Sequence, residues 1–301
     1  MDETRDDLPA LPFILGIVGD SGSGKSTVAA GVRALLGPER VTSLELDDYH
    51  RFTRAERAER GVTSLHPSVH DFSLMREHLE LLRGGRPIRN RRYDHSDGTF
   101  APSRVIEPGE VVLARGLLGY PSDELRAEYD LAVFLQPDSE LLFRRKLRRD
   151  VRHRGYAEAD VLKYLVKHLL DSKEFVLPQA ERADLLVRTE TTDAVRPDAG
   201  VRTTLRLRRA AADTVRGDAA LREVAGVEWE EDASGVSLRL TDDLREDAVY
   251  ELGRSRFAEA DPEQALGEAE ALHGTPAELA FTQLLIADLA RKLRRVRTTP
   301  G

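Results

Sequence analysis

The chain has 301 residues, of which 41% are hydrophobic, with no cysteine and a formal net charge of −8 at pH 7. This length suffices for one large domain or two small ones, and the lack of thiols excludes disulfides, thiol catalysis, cysteine zinc sites and dithiol switching. No apolar run approaches the ~18 residues of a membrane span, and the acidic start MDETRDDLPA is neither a signal nor a transit peptide, so we expect a cytoplasmic protein. The negative net charge argues against a general nucleic-acid binder.

The first part of the chain alternates predicted strands with predicted helices. Short apolar runs predict buried strands in FILGIV (13–18), VTSLEL (41–46), EVVLA (110–114), LAVFLQ (131–136) and ADLLV (183–187). Helical spacing predicts helices in TVAAGVRALLG (27–37), in FSLMREHLELLRGG after a capping Asp71, in DSELLFRRKLRRDV and over 157–176. The polar IRNRRYDHSDGTF contains an Asp-Gly turn signal and predicts a hairpin or a substrate-side loop. This alternation predicts an α/β fold with a doubly wound, mostly parallel sheet and helices on both faces.

The pattern changes after about residue 190. TTLRLRR and GVSLRL alternate with a period of two, which predicts antiparallel strands. The late segment TPAELAFTQLLIADLARKLRR is typical of an amphipathic helix. The second part of the chain is therefore expected to be an antiparallel-strand and helix elaboration.

GDSGSGKST (19–27) matches the phosphate-binding pattern G-x-x-x-x-G-K-[ST] between a predicted strand and a predicted helix. Glycines let such a loop curl so that backbone N–H groups and the helix N-terminus face phosphate oxygens. Lys25 would reach the terminal phosphates of ATP and the Ser26 hydroxyl would ligate Mg²⁺. The alternative is a chance glycine-rich turn. The predicted ATP-binding residues are Gly19, Asp20, Ser21, Gly22, Ser23, Gly24, Lys25, Ser26 and Thr27.

LELDDYHRFTRAER (44–57) follows the second predicted strand. An acid at this strand end, such as Asp47, could orient an acceptor hydroxyl and take its proton. His50, Arg54 and Arg57 could neutralise a phosphate that the acceptor already carries. The residues alone leave open a helix cap followed by a solvated Arg/Glu face.

A second basic stretch, RRKLRRDVRHR (144–154), has three interpretations. It could be a solvated helix face, an RNA-binding patch or a phosphate-handling site, and the stretch by itself does not choose among them.

Five segments together resemble the phosphoribulokinase family in order and spacing, most closely its plant and cyanobacterial branch. They are GIVGDSGSGKST, LDDYHRFTR, GVTSLHPSVHDFSLM, PIRNRRYDHSDGTF and KLRRDVRHRGY. That family transfers the γ-phosphoryl group of ATP to the 1-hydroxyl of ribulose 5-phosphate, a step of the Calvin cycle, and the uridine kinases are more distant relatives. The resemblance is dense over 13–188 and weak beyond. Residues 1–12 form a predicted acidic tail. The resemblance implies a P-loop NTPase-type fold with a kinase core (13–190), a C-terminal elaboration of the same domain (191–301) and a homodimer.

The resemblance also implies roles for individual residues. Asp47 matches the family's catalytic base, His50 and Arg54 match residues on the sugar-phosphate side, and Tyr93 matches a substrate-side tyrosine. The K-x-x-R-D-x-x-x-R-G stretch of the family, which supplies cations to the substrate and the transferring phosphoryl group, matches Lys146, Arg149, Asp150 and Arg154. The implied catalytic residues are thus Asp47, Lys25, Lys146 and Arg149, and the implied Mg²⁺ ligands are Ser26, Asp47 and Asp150.

The chain departs from the family pattern at specific positions. Ser23 replaces a redox-active cysteine, Leu118 replaces a histidine, and His66 lies in a segment that is acidic in the family. Arg115, in VLARGLLGY, stands where the family has a glutamate at a strand end. An arginine cannot ligate Mg²⁺, which leaves three interpretations: a phosphate-contacting cation, a scaffold residue paired with Asp47, Asp48 or Asp150, or the mark of a protein that binds nucleotide without turnover.

The sequence therefore predicts an ATP-dependent kinase that acts on ribulose 5-phosphate, with ATP and Mg²⁺ as cofactors and no nucleic-acid or membrane partner. The alternatives are a related kinase with another sugar phosphate or a nucleoside as acceptor, and a nucleotide-binding protein without catalysis.

Overall fold

A computed structural model describes residues 11–152, 166–192, 200–266 and 275–298. In these ranges one eight-stranded sheet carries the fold, with the strand order β2-β5-β1-β6-β7-β8-β10-β9. A separate two-stranded hairpin consists of β3 and β4. The strands are β1 (Phe13–Gly19), β2 (Val41–Glu45), β3 (Ile88–Asp94), β4 (Thr99–Ile106), β5 (Val111–Gly116), β6 (Leu131–Pro137), β7 (Leu185–Thr191), β8 (Val201–Leu207), β9 (Val227–Asp232) and β10 (Gly235–Leu240).

The first five strands of this order are parallel neighbours, from β2 at the edge to β7. The remaining pairs, from β7 through β8 and β10 to β9, are antiparallel. The predicted α/β fold with a mostly parallel sheet and late antiparallel strands is confirmed. Because β1 lies between β5 and β6, the loop that follows β1 emerges in the middle of the parallel half, where ligands bind in this class of fold.

Helices cover both faces of the sheet. They are α1 (Lys25–Leu36), α2 (Arg54–Glu59), α3 (Phe72–Arg83), α4 (Asp123–Arg126), α5 (Ser139–Arg152), α6 (Arg209–Arg216), α7 (Ala219–Arg222), α8 (Glu246–Arg256), α9 (Pro262–Ala265) and α10 (Pro276–Thr298). One core cluster joins the sheet to α1, α6, α8 and α10, and a second joins the opposite face to α3. No helix in the described ranges combines the length and the apolarity needed to span a bilayer.

Several element boundaries differ from the predictions for local physical reasons. β2 ends at Glu45 because the chain turns into a short 3₁₀ helix, Leu46–Tyr49. β7 begins at Leu185. The preceding Asp184 bonds Ala132 through its backbone N–H at 2.8 Å and through its carboxylate at 2.8 Å, so the chain is already aligned with β6 before the strand begins. The predicted 157–176 helix is described from 166, and it changes to a π-helical turn over Ser172–Val176. The sequence patterns predicted neither β9 nor the helices α4 and α6 to α9.

Candidate active site

The loop between β1 and α1 has the geometry that the phosphate-binding pattern predicts. Gly22 (φ 85°) and Gly24 (φ 95°) both adopt left-handed backbone conformations, which residues with a Cβ atom rarely adopt. The ammonium of Lys25, the first residue of α1, donates to the carbonyl oxygens of Gly19 at 2.9 Å and Asp20 at 2.7 Å. The loop thus curls around the lysine at the N-terminus of a twelve-residue helix, the arrangement that binds nucleotide phosphates.

Helix α5 lies against this loop through two cations. Lys146 donates to Asp20 Oδ1 at 2.8 Å, and both side chains are 3% exposed. Its neighbour Arg145 donates to the Ser23 carbonyl at 3.4 Å. Burial lowers the pKa of Arg145 to about 10, although Asp138 opposes the shift. Arg145 was not among the predicted site residues, and its only signal was its position inside a basic run.

The other predicted residues of this basic stretch are less informative. Arg149 and Asp150 lie on α5, three and four positions after Lys146, in the part of the helix where only the backbone is described. Arg154 lies outside the described residues.

Asp47 lies in the 3₁₀ turn directly after β2, where the sequence predicts the acceptor-side acid. Its Oδ2 atom is 3.3 Å from His95 Nε2, and its buried Oδ1 has no partner among the described residues. Burial favours the protonated acid, but the hydrogen bond from His95 and the nearby histidines outweigh it and hold the pKa of Asp47 well below its usual range. Asp47 is therefore ionised at neutral pH, and Oδ1 is available as a proton acceptor.

The adjacent acid, Asp48, has a different environment. It is buried, and its Oδ1 accepts from the backbone N–H of Tyr93 at 2.7 Å. Burial raises the pKa of Asp48 to about 6, with Glu45 adding to the shift and the Tyr93 bond opposing it. Two consecutive carboxyl groups are thus distinguished: Asp47 has a lowered pKa and a buried Oδ1 without a described partner, whereas Asp48 has a raised pKa and anchors the β3–β4 hairpin.

His50 and Tyr93 meet in a buried aromatic group with His70. The ring centroid of His50 is 4.7 Å from that of His70 and 4.9 Å from that of Tyr93. Burial lowers the pKa of His50 to about 3, although Asp47 opposes the shift, so the ring is neutral. Both ring nitrogens of His50 are buried without a partner among the described residues, and such orphaned polar atoms call for an explanation.

The two acceptor-side arginines have different surroundings. Arg57 is buried, and it donates to the Phe52 carbonyl at 2.8 Å and to the Tyr93 hydroxyl at 2.6 Å. Arg54 is partly exposed and donates to the His95 carbonyl at 2.5 Å, at the tip of the hairpin. Arg57 thus orients Tyr93, whereas Arg54 lies at the more open side of the group.

Arg115 is the penultimate residue of β5 and faces an acid that the sequence reasoning did not consider. Its Nε donates to Glu45 Oε1 at 2.6 Å, and the two residues are register partners on adjacent strands. Among the described side chains its partner is therefore Glu45, and neither Asp47 nor Asp48, because side chains at matching positions of neighbouring parallel strands lie on the same face.

The structure also places the other residues that depart from the family pattern. Leu118 is fully buried in the core cluster on the α3 face, so an apolar residue occupies the position of the family's histidine. His66 caps the 3₁₀ turn Pro67–Val69, where its Nδ1 accepts from the backbone N–H of Ser68. The Ser23 hydroxyl is buried in the phosphate loop.

The chain matches known proteins over its first two thirds. The model of the "Phosphoribulokinase / Uridine kinase family" matches residues 14–196. A phosphoribulokinase of Synechocystis sp. is 34% identical over 179 residues, which cover 60% of this chain and 54% of that protein. A uridine kinase of Deinococcus deserti is 33% identical over 180 residues, which cover 58% of this chain and 87% of that protein. The chain thus spans about half the length of the phosphoribulokinases that it matches.

Among solved structures, the phosphoribulokinase from Rhodobacter spheroides is similar in fold. It superposes with a TM-score of 0.59 at 20% identity, and the match covers 81% of this chain and 94% of that one. The fold similarity therefore covers a larger share of this chain than the sequence similarity does.

Proposed function

Because the chain belongs to the phosphoribulokinase / uridine kinase family of P-loop kinases, we propose that it transfers the γ-phosphoryl group of ATP to the 1-hydroxyl of ribulose 5-phosphate. The observation that carries the proposal is the pairing of two features at the carboxyl edge of the parallel strands. One is the curled phosphate loop with Lys25, and the other is the ionised Asp47, whose Oδ1 has no partner among the described residues.

Each residue has a physical task in this reaction. The backbone N–H groups of 19–27 and the N-terminus of α1 bind the phosphates, and Lys25 neutralises charge on the terminal ones. Asp47 Oδ1 accepts the proton of the acceptor hydroxyl. The hydroxyl oxygen of the acceptor then forms a bond to the γ-phosphorus of ATP, while the bond between that phosphorus and the departing ADP breaks. Lys146 is held at the loop by Asp20 and stabilises negative charge that spreads over the phosphoryl oxygens.

The residues present fit Mg²⁺ as an ion bound mainly through the nucleotide. Within the described ranges no group of three or more histidine or acidic side chains could hold a metal ion. Mg²⁺ is commonly bound through one or two carboxylates together with phosphate oxygens and water. Ser26 and Asp47 would hold it on the protein side, and the bound ion neutralises phosphate charge. Asp150 stays a predicted third ligand.

A phosphorylated acceptor fits the charge of the acceptor side. Arg54 lies at the open side of the group around Tyr93, and guanidinium groups bind phosphate through paired N–H donors. His50 adds two buried ring nitrogens that a sugar hydroxyl or phosphate could engage. We therefore assign His50, Arg54 and Tyr93 to the acceptor, with Arg57 holding Tyr93 in place and with Arg149 and Arg154 as further predicted cations.

A nucleoside kinase is the second candidate. One observation favours it: the chain matches 87% of the length of a uridine kinase. A nucleoside lacks the phosphate that Arg54 would bind, so Arg54→Ala should weaken binding of a sugar phosphate and leave binding of a nucleoside unchanged.

The remaining assignments follow from the family. We propose that 13–190 and 191–301 form one kinase domain, since β8, β10 and β9 continue the sheet of the core. The homodimer and the cytoplasmic location stay predictions.

The decisive experiment is detection of the product by mass spectrometry. The purified protein is incubated with Mg-ATP and ribulose 5-phosphate, with uridine in a parallel reaction and with Lys25→Ala as the control. Ribulose 1,5-bisphosphate that disappears in the control supports the proposal. Uridine monophosphate instead would favour the nucleoside kinase. ATP binding without product from either acceptor, or from a wider panel, would leave a nucleotide-binding protein.

A further inference from the structure

The geometry points to Arg115 as a phosphate-contacting residue that binds the terminal phosphate of ATP, with Glu45 as the residue that positions it. This inference rests on the proposed function, because it assigns a role within the same nucleotide site. It concerns the strand-end position at which the chain carries an arginine where its phosphoribulokinase-like pattern has a glutamate.

Arg115 lies on the face of the sheet that packs against α1. Val111 and Leu113 of β5 pack in the core cluster that includes Val28 and Val32 of α1. Successive side chains of a strand alternate between faces, so Arg115 shares this face. It lies at the carboxyl end of β5, the edge at which the phosphate loop connects β1 to α1.

The register between β5 and β1 brings Arg115 level with the start of the phosphate loop. Arg115 is the register partner of Ile17 on β1, and Gly19, the first residue of the phosphate loop, follows two residues later. β5 lies on one side of β1, and β6, which leads into α5 and Lys146, lies on the other. The phosphate loop is thus flanked by Lys146 on one side and by Arg115 on the other.

The guanidinium of Arg115 has N–H donors that its bond to Glu45 does not use. Arg115 bonds Glu45 through Nε at 2.6 Å, and no described residue accepts from its two terminal amino groups. The side chain of Arg115 is 29% exposed and that of Glu45 35%. A guanidinium fixed through Nε keeps two planar terminal groups for a second anion. Glu45 therefore orients the arginine without consuming the donors that suit a phosphate.

A cation at this position suits the chemistry of phosphoryl transfer. Phosphoryl transfer places negative charge on the equatorial oxygens of the moving group, and a fixed arginine stabilises that charge. A cation beside the terminal phosphate binds ATP better than ADP, since ADP lacks this group. The structure thus favours a working nucleotide site over one that has lost its function by exchange of an acid.

Binding measurements test this role without any acceptor. Calorimetric titrations use ADP and the non-hydrolysable ATP analogue AMP-PNP, each with and without Mg²⁺, on the parent protein, Arg115→Ala and Glu45→Gln. We expect Arg115→Ala to weaken AMP-PNP binding by about tenfold, the effect of one charge-assisted contact, and to change ADP binding by less than about twofold. Glu45→Gln should produce a smaller loss of the same kind, because it loosens the arginine without removing it.

Two further variants separate this role from a merely structural ion pair. Arg239→Ala is the matched control, because Arg239 forms a similar cross-strand pair with Glu228, at 2.7 Å, on the distant β10 and β9. The exchange variant Glu45→Arg/Arg115→Glu keeps an ion pair but moves the cation to β2. Its melting temperature should stay near that of the parent while AMP-PNP binding stays weak.

Three results would overturn the inference: unchanged AMP-PNP affinity in Arg115→Ala, restored affinity in the exchange variant, or tighter Mg-AMP-PNP binding in Arg115→Glu. The last would identify the position as a metal-side acid site. If the parent protein binds neither nucleotide, the proposed function fails as well. If it binds both but the Arg115 variants match the Arg239 control, only the inference fails.

Discussion

Replacing Lys146 with methionine should show how strongly the phosphate loop depends on one buried ion pair. The Lys146–Asp20 pair is 2.8 Å long, with both side chains 3% exposed. In the variant, the Asp20 carboxylate keeps the described bond from the Ser21 N–H, and its Oδ2 has no partner among the described residues. A buried charge that loses its partner costs about 3–5 kcal/mol of unfolding free energy. An exposed pair such as Arg239–Glu228 contributes at most about 1 kcal/mol.

Urea denaturation at neutral pH measures this difference. We expect Lys146→Met to lose about 3–5 kcal/mol and the double variant Asp20→Asn/Lys146→Met to recover most of it, because no unpaired charge then remains buried. Arg239→Ala serves as the exposed control. A loss below about 1 kcal/mol in Lys146→Met, equal to that of the control, would refute the reasoning and show that water reaches Asp20.

Three further predictions concern the acceptor side. Asp47→Asn should lower turnover by about 10²-fold or more with ATP affinity unchanged, because the proton acceptor is lost and the phosphate loop is not; steady-state kinetics and nucleotide titration measure the two effects. Arg54→Ala should raise the KM for the sugar phosphate more than it lowers kcat, since it removes a contact to the phosphate and not to the reacting oxygen. Asp48→Asn should stabilise the protein above pH 6. The pKa of Asp48 is about 6 in the folded protein against an ordinary 3.8, so between these pH values the folded protein holds a proton that the unfolded chain releases. The free energy of unfolding therefore falls as pH rises from about 4 to about 6. An amide at this position does not titrate, so it removes this fall, which amounts to at most about 3 kcal/mol.

Each of these predictions has a control and a contrary result. The exposed Asp213→Asn on α6 should change neither turnover nor pH dependence. Near-normal turnover in Asp47→Asn would remove Asp47 from the mechanism, and an unchanged KM in Arg54→Ala would contradict its contact with the acceptor. Identical stability curves for Asp48→Asn and the parent between pH 4 and pH 7 would show that Asp48 is hydrated.

The phosphate loop was predictable because its requirements are local. A buried strand, a glycine-rich turn and a helix follow one another over 13–36, and each leaves its own pattern in the sequence. Gly22 and Gly24 meet a conformational requirement that few other residues satisfy. The alternation of strands and helices likewise predicted the parallel half of the sheet.

The edge strand β9 was missed for an equally physical reason. VEWEED carries acids on the solvent side of an edge strand, and charge at an edge guards against pairing with other chains. In the sequence the same residues indicate only an acidic segment. Their strand conformation depends on β10, which supplies the hydrogen-bonding partner.

By itself, the sequence determined the α/β class, the position of the phosphate loop and the presence of an acid after β2. Only the tertiary structure decided how the polar residues pair, because the pairs join distant parts of the chain. Glu45 meets Arg115 through adjacent strands, His95 reaches Asp47 from the β3–β4 hairpin, and Lys146 reaches Asp20 from α5. Charge–charge and hydrogen-bond energies depend on distances of a few ångströms, and for residues so far apart in the chain these distances are set by how strands and helices pack.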